Sequence, residues 1–284
     1  MDQQQAYHIV VDSGCDLLDC PQREDGYTRV SCDVDVDGQI FTEENADTDA
    51  LLAAMKVRTG KVNTACPSPA DYLAALSRSA SNFIVTLSSK VSGSNNSARL
   101  AKEMLFEESP EVEAHVFDTK SAAAGQSLVA LRVRDLVAKG LPFQRIVEDI
   151  TAFIPKMRTL FLLESLENLV KNGRMSKVNY IVGSTLRINP IMGENGDGEI
   201  ALKVKTMGKK NALRKLIDMV GSYEIDFKNV IMSITHVNAL EKALAVKDEL
   251  LARYHFQDIV IFRAGNMSTV YGDDGGIILA FPTV

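Results

Sequence analysis

The chain has 284 residues, 46% of them hydrophobic and 24% charged, with a net charge of −6. This is the composition of a folded globular protein rather than a disordered one, and the negative balance argues against a general nucleic-acid binder. No apolar run reaches the length of a bilayer span and no charged-then-apolar leader opens the chain, so a cytoplasmic protein is expected. Cys15, Cys20, Cys32 and Cys66 lack C-x-x-C spacing, and His8, His115, His236 and His255 form no H-x-x-x-H pair. Reduced thiols and no metal site are therefore expected.

In chain order, "AYHIVVDSGCDL" reads as a buried strand, His8 to Val11, ending in a turn that carries Asp12, Ser13 and Asp16. "VDVDGQIF" alternates about Asp37-Gly38, a hairpin signal. A helix is predicted from Asp47 to Arg58. A second begins at "CPSPAD", with Ser68 as N-cap, Pro69 at the first helical position and Asp71 three residues past the cap. The pattern then repeats: strand Phe83–Leu87, helix to Glu107, strand "VEAHVFDT", helix Ala122–Lys139. A further helix, "PFQRIVEDITAFIPKM", has an apolar stripe of Ile146, Ile150, Phe153 and Ile154. Strands alternating with amphipathic helices imply a mainly parallel sheet covered on both faces.

After Pro155 the pattern changes. "TLFLLES" reads as a strand and "LENLVKNG" as a short helix ended by Gly173. "LRINPIMGENGDGEIALKVKTM" reads as a hairpin turning at "ENGDGE". A basic helix, strand "NVIMSITHV", helix "NALEKALAVKDELLARY", strand "DIVIFRA" and a glycine-rich tail follow. The expectation is an α/β fold of two domains, residues 1–156 and 157–284, the second with a mixed sheet.

The segment "LSSKVSGSNNSA", residues 87–98, joins a strand to a helix. Such a junction presents free backbone N–H groups to an anion. It lacks the G-x-x-x-x-G-K-S/T of a P-loop and the G-x-S-x-G of a nucleophile elbow. What remains is either a set of hydroxyls donating to an anion or a serine-rich turn with a helix cap. Asp12, Ser13 and Asp118 at strand ends suit acid–base or Mg²⁺ chemistry, or simply turn building. Six basic residues from Lys203 to Lys215 form either a solvated face or a docking patch for an acidic partner or an anionic membrane.

Taken in order, "DSGCDL", "TACPSP", "LSSKVSGSNNSA", "FDTKSAAAGQ", "LESLENLVKNGRMSK", "INPIM" and "GDGEIALKVKTMGKKNAL" resemble the DegV family of bacterial fatty-acid-binding proteins over residues 7–282. The resemblance implies two α/β domains with one long-chain fatty acid between them, presented to a fatty acid kinase that phosphorylates its carboxylate. It implies no catalytic residue and no cofactor other than the bound acid. Carried over by position, Thr64 and Ser92 hold the carboxylate, with Ser94, Arg174 and Tyr271 beside them. Arg174 either braces the clasp or helps hold the anion, or it satisfies helix-end carbonyls. Lys203, Lys205, Lys209 and Lys210 fall in the segment the family uses for partner contact.

The chain departs from the family at Ala65 and Cys66, where Ser-Gln is usual, and at Tyr271, where a histidine is usual. Cys66 is then either a reactive thiol or a small residue lining an apolar site. Asp273 and Asp274 would weaken carboxylate binding if they pointed inward. Two alternatives follow: a hydrolase or transferase using Ser92 or Cys66 as nucleophile, and a carrier of a different amphiphile.

Overall fold

The computed structural model describes residues 6–17, 27–43, 47–175 and 188–284. Cys20, the 176–177 end of "NGRMSK" and residues 186–187 of the predicted hairpin lie outside the described residues.

The first half runs β1 (Tyr7–Asp12), β2 (Tyr27–Val30), β3 (Asp33–Val36), β4 (Gln39–Phe41), α1 (Thr48–Val57), β5 (Asn63–Ala65), α2 (Pro69–Ala75), β6 (Ser81–Thr86), α3 (Ser94–Glu108), β7 (Ala114–Asp118), α4 (Ala124–Ala138) and α5 (Phe143–Phe153). Strands β2-β1-β6-β7, in that order, form a four-stranded parallel sheet. Its residues alternate between two cores, as the two-residue period of a strand requires. Ile9, Val11, Phe83, Val85 and Phe117 pack toward α4 and α5. Val10 and Ile84 pack against Tyr72, Leu76 and Leu105 of the α2 and α3 side.

Local signals act as read. The Ser68 hydroxyl accepts from the Asp71 N–H while the Asp71 carboxylate accepts from the Ser68 N–H, closing a capping box ahead of Pro69. Asp37 and Gly38 both have positive φ, 50° and 90°, and turn the chain between β3 and β4. A small antiparallel sheet of order β4-β3-β5 was not evident in the sequence. Its outer strand β5 is only three residues long and carries Thr64.

A short turn over Ile154–Lys156 leads into β8 (Met157–Leu162). Then come α6 (Glu167–Lys171), β9 (Ile188–Glu194), β10 (Ile200–Met207), α7 (Lys209–Val220), β11 (Ile231–His236), α8 (Leu240–Tyr254), β12 (Asp258–Arg263), α9 (Asn266–Gly272) and β13 (Ile277–Pro282). The six-stranded sheet has order β10-β9-β8-β13-β11-β12, with only β11 and β12 parallel. Leu160, Ile191, Ile234, Leu279 and Phe281 face α7 and α8. Phe161, Met192, Ile278 and Ala280 face the other way, into the core that holds α4.

Helix α4 therefore lies between the two sheets, and one continuous core joins both halves of the chain. Its all-round burial explains the weak amphipathicity of its sequence, since both faces meet a sheet. Polar ties cross the same junction: the Ser233 hydroxyl donates to the Ala124 carbonyl at 2.8 Å, and Ser121 and Thr159 hydroxyls meet at 2.7 Å. The glycine-rich tail, given no element in the sequence reading, begins in the last turn of α9 and runs into the central strand β13.

Candidate functional site

Beyond the N-terminal end of α4 the two sheets enclose a cavity of about 250 Å³. One wall is built from residues that follow β1, β6 and β7: Gly14, Leu87 and Ala122 among them. The carboxyl ends of parallel strands are where loops converge and ligand sites form. The opposite wall comes from the second sheet, with Phe161, Leu163, Ile200 and Ile278. Helix α9 adds Met267, Ser268 and Tyr271. The lining is predominantly apolar, as a slot for a hydrocarbon requires.

A polar cluster interrupts it. Thr64, Ser92, Arg174 and Tyr271 all line the cavity, although they come from β5, the turn before α3, the end of α6, and α9. The Thr64 hydroxyl and the Tyr271 hydroxyl are 2.7 Å apart. Ser92 Oγ accepts from the Ser94 N–H at 3.2 Å, which leaves the Ser92 proton able to point into the cavity. Arg174 Nε donates to the Val91 carbonyl at 3.2 Å and Nη1 to the Asn172 carbonyl at 2.6 Å. Its guanidinium carbon sits 5.6 Å from the centre of the Tyr271 ring. Arg174 thus ties the end of α6 to the turn that carries Ser92.

Ser94 is a correction. It is fully buried and is not among the cavity-lining residues. Its hydroxyl donates to Asp12 Oδ2 and lies 2.6 Å from the Tyr72 hydroxyl. As the first residue of α3 it faces the core, whereas Ser92, two residues earlier, still lies outside the helix. Ser94 thus holds the turn from below. Asp273 and Asp274 do not line the cavity either. Asp274 pairs with Lys56 at 2.9 Å and with Asn238 at 3.0 Å, and this pairing holds its carboxyl below the usual range.

Two buried aspartates set the geometry. Asp12 is fully buried; Oδ1 accepts from the Gly14 N–H and the Gln126 amide, and Oδ2 from the Leu87 N–H, Ser94 and Tyr72. One carboxylate thereby fixes the ends of β1 and β6, and with them the Ser92 turn. Gly14 is required here, because a Cβ would stand 2.3 Å from Leu87 and 2.4 Å from Gln126. Asp16 reaches across to the second sheet. Its Oδ1 accepts from the Gly265 N–H at 2.9 Å, and its Oδ2 from the Thr235 hydroxyl at 2.9 Å and the Ser268 hydroxyl at 3.0 Å. Asp16 therefore pins the start of α9, the helix that delivers Tyr271. Burial pushes the Asp16 carboxyl up to about 6 despite these donors.

Asp16, Gln126 and Tyr72 were not singled out from the sequence as site-forming residues. Asp12 and Asp16 stand in the "DSGCDL" motif, and Gln126 ends "FDTKSAAAGQ", so the motifs marked the segments without marking the contacts. Burial also raises Cys15 to about 12 and Cys32 well above its ordinary value. Among the described residues no group of three or more His, Cys, Asp or Glu side chains is gathered as a metal-ligand set. No described helix is long and apolar enough to cross a membrane.

The lysines are spread over an edge. Lys203 and Lys205 lie on β10, the edge strand of the six-stranded sheet, and Lys209 and Lys210 open α7. Lys209 is engaged by Glu164 at 2.7 Å, and the same carboxylate takes Lys242 at 3.1 Å.

Residues 6–281 match the family model described as "Uncharacterised protein, DegV family". A DegV domain-containing protein of Streptococcus pyogenes serotype M1 is 33% identical over 282 residues, covering 97% of this chain and 99% of the relative. Among solved structures, a DegV family protein of Ruminococcus gnavus refined with vaccenic acid has 33% identity and a TM-score of 0.92, covering 97% of this chain and 99% of its own. The Streptococcus pneumoniae fatty acid kinase (Fak) B3 protein loaded with linoleic acid has 30% identity and a TM-score of 0.90, covering 99% and 100%.

Proposed function

The chain belongs to the DegV family, and from that membership we propose that it binds one long-chain fatty acid non-covalently in the cavity and presents the carboxylate to a fatty acid kinase. The single observation that carries the reading is an apolar slot that meets a cluster of neutral hydroxyls, Thr64, Ser92 and Tyr271, with Arg174 behind them. The hydroxyls of Thr64 and Ser92 donate to the carboxylate, and Tyr271 supports Thr64. Such donors hold an anion without a strong ion pair, so the head group stays open to phosphorylation.

The energetics suit a carrier. Removing an acyl chain from water is worth about 0.8 kcal/mol per methylene, or roughly 11 kcal/mol for about fourteen of them. A membrane offers nearly the same gain, so the protein needs a slot as apolar as lipid and a modest polar lock. The role is non-catalytic and cytoplasmic, with the acid as the ligand and no further cofactor. No histidine is among the described residues lining the cavity with Ser92. The division at residue 156 makes each lobe one wall of the site. Lys203, Lys205 and Lys210 supply positive charge for the kinase, with brief contact to an anionic membrane on the same face.

Mass spectrometry of the denatured, purified protein tests the assignment. A stoichiometric free acid of roughly 14 to 18 carbons, a length that matches the burial estimate, is the expected result. A covalent adduct on Ser92 or Cys66 would replace the carrier with an acyl-transfer enzyme. Replacing Lys203 and Lys205 with glutamate is expected to slow phosphorylation of the bound acid by the kinase while leaving lipid content unchanged.

A further inference from the structure

Two cysteines share the wall of the cavity beside Thr64. Strands β3 and β5 pair antiparallel with Asp33 opposite Ala65 and Val34 opposite Thr64. The ladder ends there, and extending its register by one step beyond the two strands puts Cys32 across from Cys66. The alternation places Cys32, Val34, Thr64 and Cys66 on one face, and Cys32, Thr64 and Cys66 all line the cavity. Residues directly opposite on antiparallel strands have Cα atoms about 4.5–5.5 Å apart, inside the range of about 4.4–6.8 Å that a disulfide spans.

The two thiols differ in surroundings. Cys66 is exposed, and its sulfur lies 3.0 Å from where a Cβ on Gly93 would stand, next to the Ser92 turn. Cys32 is 1% exposed and packs with Leu87, Met267 and Tyr271. Burial pushes its thiol up, so Cys32 is poorly suited to attack first. An accessible thiol with a second, shielded thiol opposite is the arrangement of a peroxide-reactive pair.

We propose that Cys66 and Cys32 form a hydroperoxide-sensitive dithiol in the cavity wall, and that closing their disulfide weakens the grip on the ligand head group. Sulfur of Cys66 attacks the O–O bond of a hydroperoxide; an S–O bond forms, the O–O bond breaks, and the leaving oxygen departs as alcohol or water with the thiol proton. The Cys32 thiol then attacks the Cys66 sulfenic sulfur. An S–S bond forms, the S–O bond breaks, and the hydroxyl leaves as water with the Cys32 proton. The peroxide is reduced to alcohol or water and the two thiols are oxidised.

The disulfide must turn Cys66 from Gly93 toward Cys32. That takes the Cys66 sulfur away from the Ser92–Gly93 turn and so loosens the packing between that turn and the strand that carries Thr64. The effect on ligand rests on the fatty-acid reading above; the chemistry of the two sulfurs does not.

The purified full chain is treated with hydrogen peroxide, alkylated and digested with trypsin without reductant. Residues 30–56 contain only Cys32 and residues 62–78 only Cys66, so a joined pair of these peptides reports the bond. The expected result is that joined peptide, abolished by Cys66→Ser, with Cys32→Ser leaving a sulfenic acid on Cys66 that dimedone labels. Retained fatty acid is expected to fall about tenfold, the loss of one hydrogen bond to a charged group, and to recover on reduction and reloading. Oxidation of Cys66 without the joined peptide, or a Cys66–Cys66 bond between two copies, overturns the pair. A joined peptide with unchanged retention overturns its control of the ligand. Reduced protein that never retains a fatty acid refutes the functional reading instead, and the joined peptide still decides the dithiol.

Discussion

Replacing Ser92 with alanine isolates the grip on the head group. Two bonds are at stake. Ser92 Oγ accepts from the Ser94 N–H at 3.2 Å at the start of α3, and its proton is the donor assigned to the carboxylate. Loss of the first resembles loss of a helix N-cap, about 0.5–2 kcal/mol of fold stability. Loss of the second removes a hydrogen bond to a charged group, about 1.5–3 kcal/mol of binding, which is roughly a tenfold to hundredfold weaker complex. The two effects are read separately: thermal unfolding of the delipidated protein gives the first, and titration with a defined long-chain fatty acid gives the second. Ser89 lies in the same loop but does not line the cavity, so Ser89→Ala is the control and is expected to bind normally. A folded Ser92→Ala protein that binds the acid within twofold of the parent would refute the clasp, because no other role given to that hydroxyl depends on ligand.

Tyr271→Phe keeps the ring against Cys32 and Arg174 but removes the hydroxyl 2.7 Å from Thr64; affinity is expected to drop about fivefold, the worth of one neutral hydrogen bond of about 1 kcal/mol, measured by the same titration. Asp16 predicts a pH dependence. Its carboxyl lies at about 6 in the fold against an ordinary value of 3.8, so its contribution is greatest below 3.8 and is lost as pH rises through about 6. Denaturant unfolding is expected to show Asp16→Asn gaining on the parent by up to about 3 kcal/mol between about pH 4 and pH 7; a constant difference across that window would refute the raised value. Gly14→Ala puts a methyl 2.3 Å from Leu87 and 2.4 Å from Gln126. It is expected to cost about 1–3 kcal/mol by overpacking, seen as a lower melting temperature, and a neutral outcome would mean that this junction is looser than it is drawn.

Elements governed by local chemistry were legible in the sequence. The box at Ser68 and Asp71, the Asp37-Gly38 turn and the strand–helix alternation before Pro155 each act over a few residues, and each forms as read. Helix α9 was not legible, because its seven residues are positioned by Asp16, some 250 residues earlier in sequence. Strand β5 is too short to show a period of two. The motif order brought Thr64, Ser92, Arg174 and Tyr271 forward, and all four line the cavity. Choosing between Ser92 and Ser94 required the helix start itself, since a two-residue step there turns a side chain from the slot to the Asp12 cluster. The opposition of Cys32 and Cys66 depends on the register of a sheet that the sequence did not reveal.

Helix α4 has one more bearing, on the width of the cavity. Because it is wedged between the two sheets, it acts as a spacer, and the gap just ahead of its first turn is about one helix wide, on the order of 10 Å before side chains fill it. A gauge of that kind sorts guests by thickness more than by length. A single hydrocarbon tail fits a gap of that width, whereas two tails side by side would have to force the sheets off their shared helix.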